Sequence, residues 1–209
     1  MDAKMRLMRQ AAGPECIHSR RVPWRSLLAL AAAALAAASL GEAAWIQAKA
    51  QLGQHLIARA WARTQRGEEA PRAWPWADTR PVARLEVPAH GVNLLVLEGG
   101  TGHSLAWGPG HLSGTAPVGA PSSNAVVAGH RDTHFSFLGR LSAGDEIRVE
   151  DAEGERRAYR VTHSYVTHDG DAEAIRTTRH GRLTLVTCWP FDALLPGGSE
   201  RYVVVAEAS

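Results

Sequence analysis

The chain has 209 residues, 45% of them hydrophobic and 21% charged. That composition belongs to a globular protein, long enough for one well-buried domain plus an appendage and too short for two ordinary domains with a linker. The net charge of +2 is unevenly spread: Lys4, Arg6, Arg9, Arg20, Arg21 and Arg25 against Asp2 and Glu15 give the first 25 residues +4, which leaves −2 for the rest. The body of the chain therefore has no basic excess with which to hold nucleic acid.

Residues 1–25 read as a basic tail. Ser26 to Gly41 carries no charge, and extension to Ile46 brings the run to about the 20 residues that span a bilayer as helix. Trp24 and Trp45 stand where interfacial aromatics belong, with Glu42 near the far interface. The positive-inside rule keeps the basic tail in the cytoplasm and sends the remainder across the membrane. An Ala-rich run also offers small-residue cleavage sites, so a signal peptide is the rival reading. The long basic region and the helical pattern beyond it favour an anchor over 26–46.

Residues 47–73 follow as a juxtamembrane helix and linker. Ile46, Leu52, Leu56, Ile57, Ala60 and Trp61 recur at helical spacing, so this helix packs on the domain or lies on the membrane. Gly67 to Pro81 is rich in breakers and reads as a linker or a strap across the fold, with Trp74 and Trp76 packing against the domain. Strand signals begin at Val82: Val82–Val87, Val92–Leu97, Asn124–Ala128, Glu146–Glu150, Tyr159–His168, Leu183–Thr187 and Tyr202–Ala206, with a turn at Asp151–Gly154. Only His134–Leu141 reads as helix within this region. Short β-branched runs separated by Gly, Pro and Asp indicate an all-β sandwich or barrel.

Two cysteines occur, Cys16 and Cys188. If the apolar run crosses a membrane they lie in different compartments and cannot pair. A lone thiol in an exported domain is either inert and buried or reactive. Cys188 ends the run Leu183-Thr-Leu-Val-Thr, and Pro190 stops the strand just beyond it. A cysteine nucleophile needs a base or cation beside it to form thiolate near neutral pH. Among ten histidines, His130 is the best partner, because it too ends a strand, Asn124-Ala-Val-Val-Ala-Gly. His134 is the nearest rival. Arg201 opens the last strand after the loop 191–200 and is placed to stabilise an oxyanion, although spacing alone makes this a weak signal.

Thr184-Leu-Val-Thr-Cys188 resembles the sortase signature Thr-Leu-x-Thr-Cys. Gly129-His130-Arg131-Asp132-Thr133 resembles that family's histidine segment, and Arg201 matches its arginine. Leu105–Leu112 and Cys188–Gly198 are similar to the Gram-negative class in particular. The resemblance covers roughly Trp74 to Ala206, and residues 74–209 are taken as the catalytic domain. It implies a mainly β, eight-stranded barrel and a thiol transpeptidase that needs no cofactor or metal. In that scheme Cys188 attacks a C-terminal, LPxTG-like sorting signal of a secreted client protein and forms a thioester. His130 carries protons, Arg201 holds the substrate carbonyl, Thr187 assists at the oxyanion, and an amine acceptor takes the acyl group. The implied location is the inner membrane, with the catalytic domain periplasmic.

Three rival readings follow from the same residues. His130 and His134 have the i, i+4 spacing of a zinc hydrolase, but Arg131 stands where that motif has glutamate. An L,D-transpeptidase would carry Ser-His-Gly before its cysteine and arginine two positions after it, where Pro190 stands. A non-catalytic, anchored β-domain would bind a partner and need no Cys–His–Arg set.

Overall fold

A computed structural model describes residues 24–69, 71–193 and 197–209. Cys16 and all but the last two residues of the basic tail lie outside the described residues. The chain divides into two compact units, Met1–Ile46 and Gln47–Ser209. Helix α1, Trp24–Thr64, supplies the described part of the first unit and opens the second. In the first unit Leu27, Leu28, Leu30, Leu35 and Leu40 are all exposed. An 18-residue window of α1 has a mean hydropathy of 1.8, so the helix is long and apolar enough to cross a membrane.

In the second unit the helical residues Gly53, Ile57, Ala60 and Trp61 are buried. Their spacing marks one stripe of an α-helix. That stripe faces the domain: Gln54 Nε2 donates to Trp107 O at 2.7 Å and Gln65 Nε2 to Asp151 O at 3.0 Å. Gly53 is needed because a Cβ there would overlap the Trp107 ring. The helix ends in a glycine cap. Gly67, at φ +83°, donates to Thr64 O, and Glu68 donates to Arg63 O. The segment beyond it straps the fold, with Thr79 Oγ1 donating to Glu98 O at 2.7 Å. Trp74 packs edge-on against Trp107 with ring centroids 5.2 Å apart, while Trp76 is 78% exposed.

The rest is a closed eight-stranded barrel: β1 Pro81–Val87, β2 Val92–Glu98, β3 Gly110–His111, β4 Asn124–Ala128, β5 Glu146–Asp151, β6 Arg156–His168, β7 Arg182–Cys188 and β8 Glu200–Ala208. A short helix α2, Gly102–Leu105, precedes β3. Around the barrel the order is β1-β2-β3-β4-β7-β8-β6-β5. The alternation of β1 puts Ala83, Leu85 and Val87 inside, where they meet Val127, Ile147, Val149, Tyr159, Leu183, Leu185 and Val204. Each such aliphatic side chain contributes about 1.5–3 kcal/mol by leaving water. The seven expected strands are present, and the eighth, β3, has two residues. At Gly110 a Cβ would strike the carbonyl of Gly99, so only glycine lets these backbones pair.

The helix expected at His134–Leu141 is instead a run of turns ending in a 3-10 helix, Leu138–Arg140. The reason is packing. Phe135, Phe137 and Leu138 are all buried, and the two phenyl rings meet edge-on at 5.9 Å. No single helical stripe offers positions i, i+2 and i+3 to the core equally well.

Gly53→Val should force the Trp107 ring aside, a cost of about 1–3 kcal/mol for overpacking. Thermal unfolding followed by near-ultraviolet circular dichroism should show a melting temperature lower by about 2–10 °C.

Candidate active site

Strand register and one shared cleft bring the three candidate residues together. β4 runs parallel to β7 with Ala128 opposite Val186, and Gly129 N donates to Val186 O at 3.1 Å. Past the strand end, Thr187 Oγ1 donates to Gly129 O, which keeps the residue before His130 against the residue before Cys188. β7 runs antiparallel to β8 with Cys188 opposite Arg201. Cys188 and Arg201 therefore stand side by side on adjacent strands, whose spacing is about 4.8 Å, and His130, two residues past the end of β4, lines the same cleft as both.

Parity sets their direction. Leu183 and Leu185 face the barrel core, and Thr187 shares their side. Val186 and Cys188 face outward, where Val186 packs on Ala174, Val203 and Val205. Above this outer face lies a cleft of about 460 Å³. Leu105, Leu112, Ala174, Ile175, Val186 and Val203 supply apolar lining, and His130, Cys188, Arg201 and Asp169 supply polar lining. Ile175 is 52% exposed. A largely apolar cleft that also carries a thiol, an imidazole and a guanidinium suits a peptide held for attack at one carbonyl.

Arg201 is held from three sides. Its Nη1 donates to Gly198 O at 2.9 Å and Glu200 O at 2.8 Å, and its Nη2 donates to Asp169 Oδ2 at 2.7 Å. Of five guanidinium donors, these bonds use three. The Nε–H and the second Nη2–H have no partner among the described residues. The Asp169 pair is exposed, so it adds no more than about 1 kcal/mol to stability; its work is orientation.

Thr187 is 2% exposed, and its Oγ1 donates to Gly129 O at 2.7 Å. The hydroxyl next to the thiol thus pins the backbone that carries His130. His134, the rival histidine, is half-buried and borders a separate cavity with Gln54, Leu95 and Trp107. Burial, and then the charge of His130, hold its pKa below the usual histidine range.

Two cleft residues were not legible as such: His168 and Asp169. Both lie just past the level at which Thr167 of β6 pairs with Arg201. Only the β6–β8 register, which the sequence does not display, could have announced them.

Thr187→Val should leave the Gly129 carbonyl without its partner and lower unfolding stability in urea by about 1–3 kcal/mol, with Thr187→Ser close to wild type. His134 gives a pH signature. Its folded pKa is lowered, so the unfolded chain binds that proton more tightly. The effect vanishes well above the histidine range, and stability falls as pH drops through it. Between about pH 8 and pH 5, His134→Gln should lose less thermal stability than wild type; an equal loss would remove His134 as a cause.

The sortase domain model matches residues 85–209, more than half of the chain. Sortase D of Bacillus subtilis (strain 168) is 32% identical over 124 residues, covering 57% of this chain and 60% of that protein's length. The match thus spans less than two thirds of that relative. Among solved structures, sortase C-1 from Actinomyces oris is 32% identical with a TM-score of 0.55, over 62% of this chain and 74% of that one. A sortase D5 transpeptidase from Clostridium perfringens superposes with a TM-score of 0.60 at 22% identity, over 76% of this chain and 99% of that one, a likeness of fold. A matching family model, a related sequence and the same eight-stranded barrel agree: this chain belongs to the sortase family.

Proposed function

We propose that this chain is a membrane-anchored cysteine transpeptidase that cleaves a C-terminal sorting signal, LPxTG-like, from secreted client proteins and joins them to an amine acceptor. The observation that supports this reading is the pairing of Cys188 with Arg201 on adjacent strands in one cleft that His130 also lines.

The Cys188 thiolate attacks the scissile carbonyl, and the resulting oxyanion accepts hydrogen bonds from the two uncommitted donors of Arg201. Collapse of this intermediate expels the amine of the downstream segment, to which protonated His130 gives its proton. The acyl group is now a thioester on Cys188. An incoming primary amine loses a proton to His130 as it attacks, and release of the new amide restores the thiolate. Water in place of the amine would give hydrolysis. Asp169 keeps Arg201 turned toward the cleft, and Thr187, which lines the cleft beside the thiol, assists at the oxyanion while its hydroxyl holds Gly129.

The helical run 26–46 serves as the anchor, with the basic tail cytoplasmic and the barrel of 74–209 outside the inner membrane. The Gram-negative class rests on the segments Leu105–Leu112 and Cys188–Gly198. The first of these supplies Leu105 and Leu112 to the cleft wall.

Incubation with a sorting-signal peptide should give a mass-trapped thioester on Cys188, lost in Cys188→Ala together with turnover. His130→Ala and Arg201→Ala should lower kcat/KM by about 10²–10⁴-fold. A Cys188→Ala variant that still turned over peptide would sink the reading, since another group would then carry the catalysis; a wild type that formed no thioester and turned over no peptide would leave a non-catalytic binding domain in its place.

A further inference from the structure

Arg131 is a charged side chain only 3% exposed. Taking a guanidinium out of water costs several kcal/mol, so a buried arginine implies tightly made compensating bonds. Here Nη1 donates to Pro190 O at 2.8 Å and Nη2 to Ala193 O at 2.7 Å. The Nε donates to Asp132 Oδ1 at 3.2 Å, but that carboxylate is 66% exposed and offers a screened partner. The guanidinium thus binds two backbone carbonyls of the segment that follows Cys188.

Two bonds from one planar fork fix both distance and orientation between the segments they join. Arg131 follows His130 directly, and Pro190 lies two positions after Cys188. On the other side, Thr187 donates to Gly129 O. The residues before and after His130 are thus each tied to the residues before and after Cys188. The ring of His130 is exposed, and its backbone carbonyl accepts from Phe135 N at 3.0 Å. The backbone frame sets where this imidazole stands in the cleft that it shares with the thiol.

We infer that Arg131 is a positioning residue that holds His130 in register with Cys188 through the Pro190 and Ala193 carbonyls, and so sets the coupling of the two reacting groups. This rests on the reading of Cys188 and His130 as nucleophile and proton carrier. Arg131 itself touches no substrate. A displacement of about 1 Å between reacting groups costs on the order of 100-fold in rate. Loss of the fork therefore falls on the chemical step more than on peptide binding.

The test uses the full chain in detergent, with iodoacetamide as thiol probe and peptide mapping to separate Cys188 from Cys16. Alkylation of Cys188 is followed against pH for wild type, Arg131→Met, Arg131→Lys and His130→Ala, beside turnover of a sorting-signal peptide. Arg131→Met should move the alkylation profile most of the way to that of His130→Ala and lower kcat about 100-fold, with KM within about threefold. Arg131→Lys should fall between, because one ammonium cannot span both carbonyls in the geometry of the fork. If Arg131→Met merely melts earlier while keeping the wild-type profile and kcat within about twofold, Arg131 is structural and the inference is overturned. If Arg131→Met does not fold, Arg131→Lys decides by the same two readings. If His130→Ala itself alkylates like wild type, the catalytic pair fails and the role of Arg131 fails with it, an outcome distinct from a failure of Arg131 alone.

Discussion

The parallel pairing of β4 with β7 is the constraint on which the site depends. Parallel neighbours need a long crossover, and here 53 residues, counted between Ala128 and Arg182, separate the two strands. All of β5 and β6 lies within that crossover. The barrel must close before His130 and Cys188 can meet, because nothing local brings them together. A slip of one residue would turn every side chain of β7 to the other face and put Cys188 into the core. The interior packing of Leu183 and Leu185 guards against that slip, so the hydrophobic core fixes the direction of the thiol.

Polar bonds then refine what the core has fixed. Thr184 Oγ1 donates to Asn124 Oδ1 at 2.8 Å, and Asn124 Nδ2 to Ala174 O at 2.9 Å. These buried bonds tie the start of the β4–β7 pair to the segment that walls the cleft. At the other end of the same pair Thr187 holds Gly129. Both threonines of the Thr184-Leu-Val-Thr-Cys188 run are thus buried hydrogen-bond donors to β4 or its extension. The run serves the strand pair as much as the thiol, since an unpaired buried hydroxyl or carbonyl would cost more than the bond contributes.

Much of this was readable in the chain. Seven strands follow from alternation and punctuation, and the strand-end positions of Cys188 and His130 follow from Pro190 and Gly129. Two residues carry no alternation, so β3 was invisible, and closure into eight strands came only through family resemblance. The juxtamembrane stripe was half legible. Ile57, Ala60 and Trp61 are buried, but Leu52 is exposed while Gly53 faces the domain. A hydrophobic pattern passes over glycine, which here is inward because a large neighbour needs the room. Asp169 and Arg131 escape sequence reading for another reason. Each acts on a partner more than 30 positions away, through bonds that exist only once loops have been laid against each other.

The indole of Trp107 lies between two functions. Gly53 of the helix and Trp74 of the strap cover it, and Leu105, two positions earlier, lines the cleft. The seam at which the barrel can be cut free is therefore not where its first strand begins. A fragment begun at Trp74 would leave one flank of this indole bare to solvent and one cleft wall without backing. A fragment begun at Gln47 keeps both, and with them the surface on which a client peptide would be read.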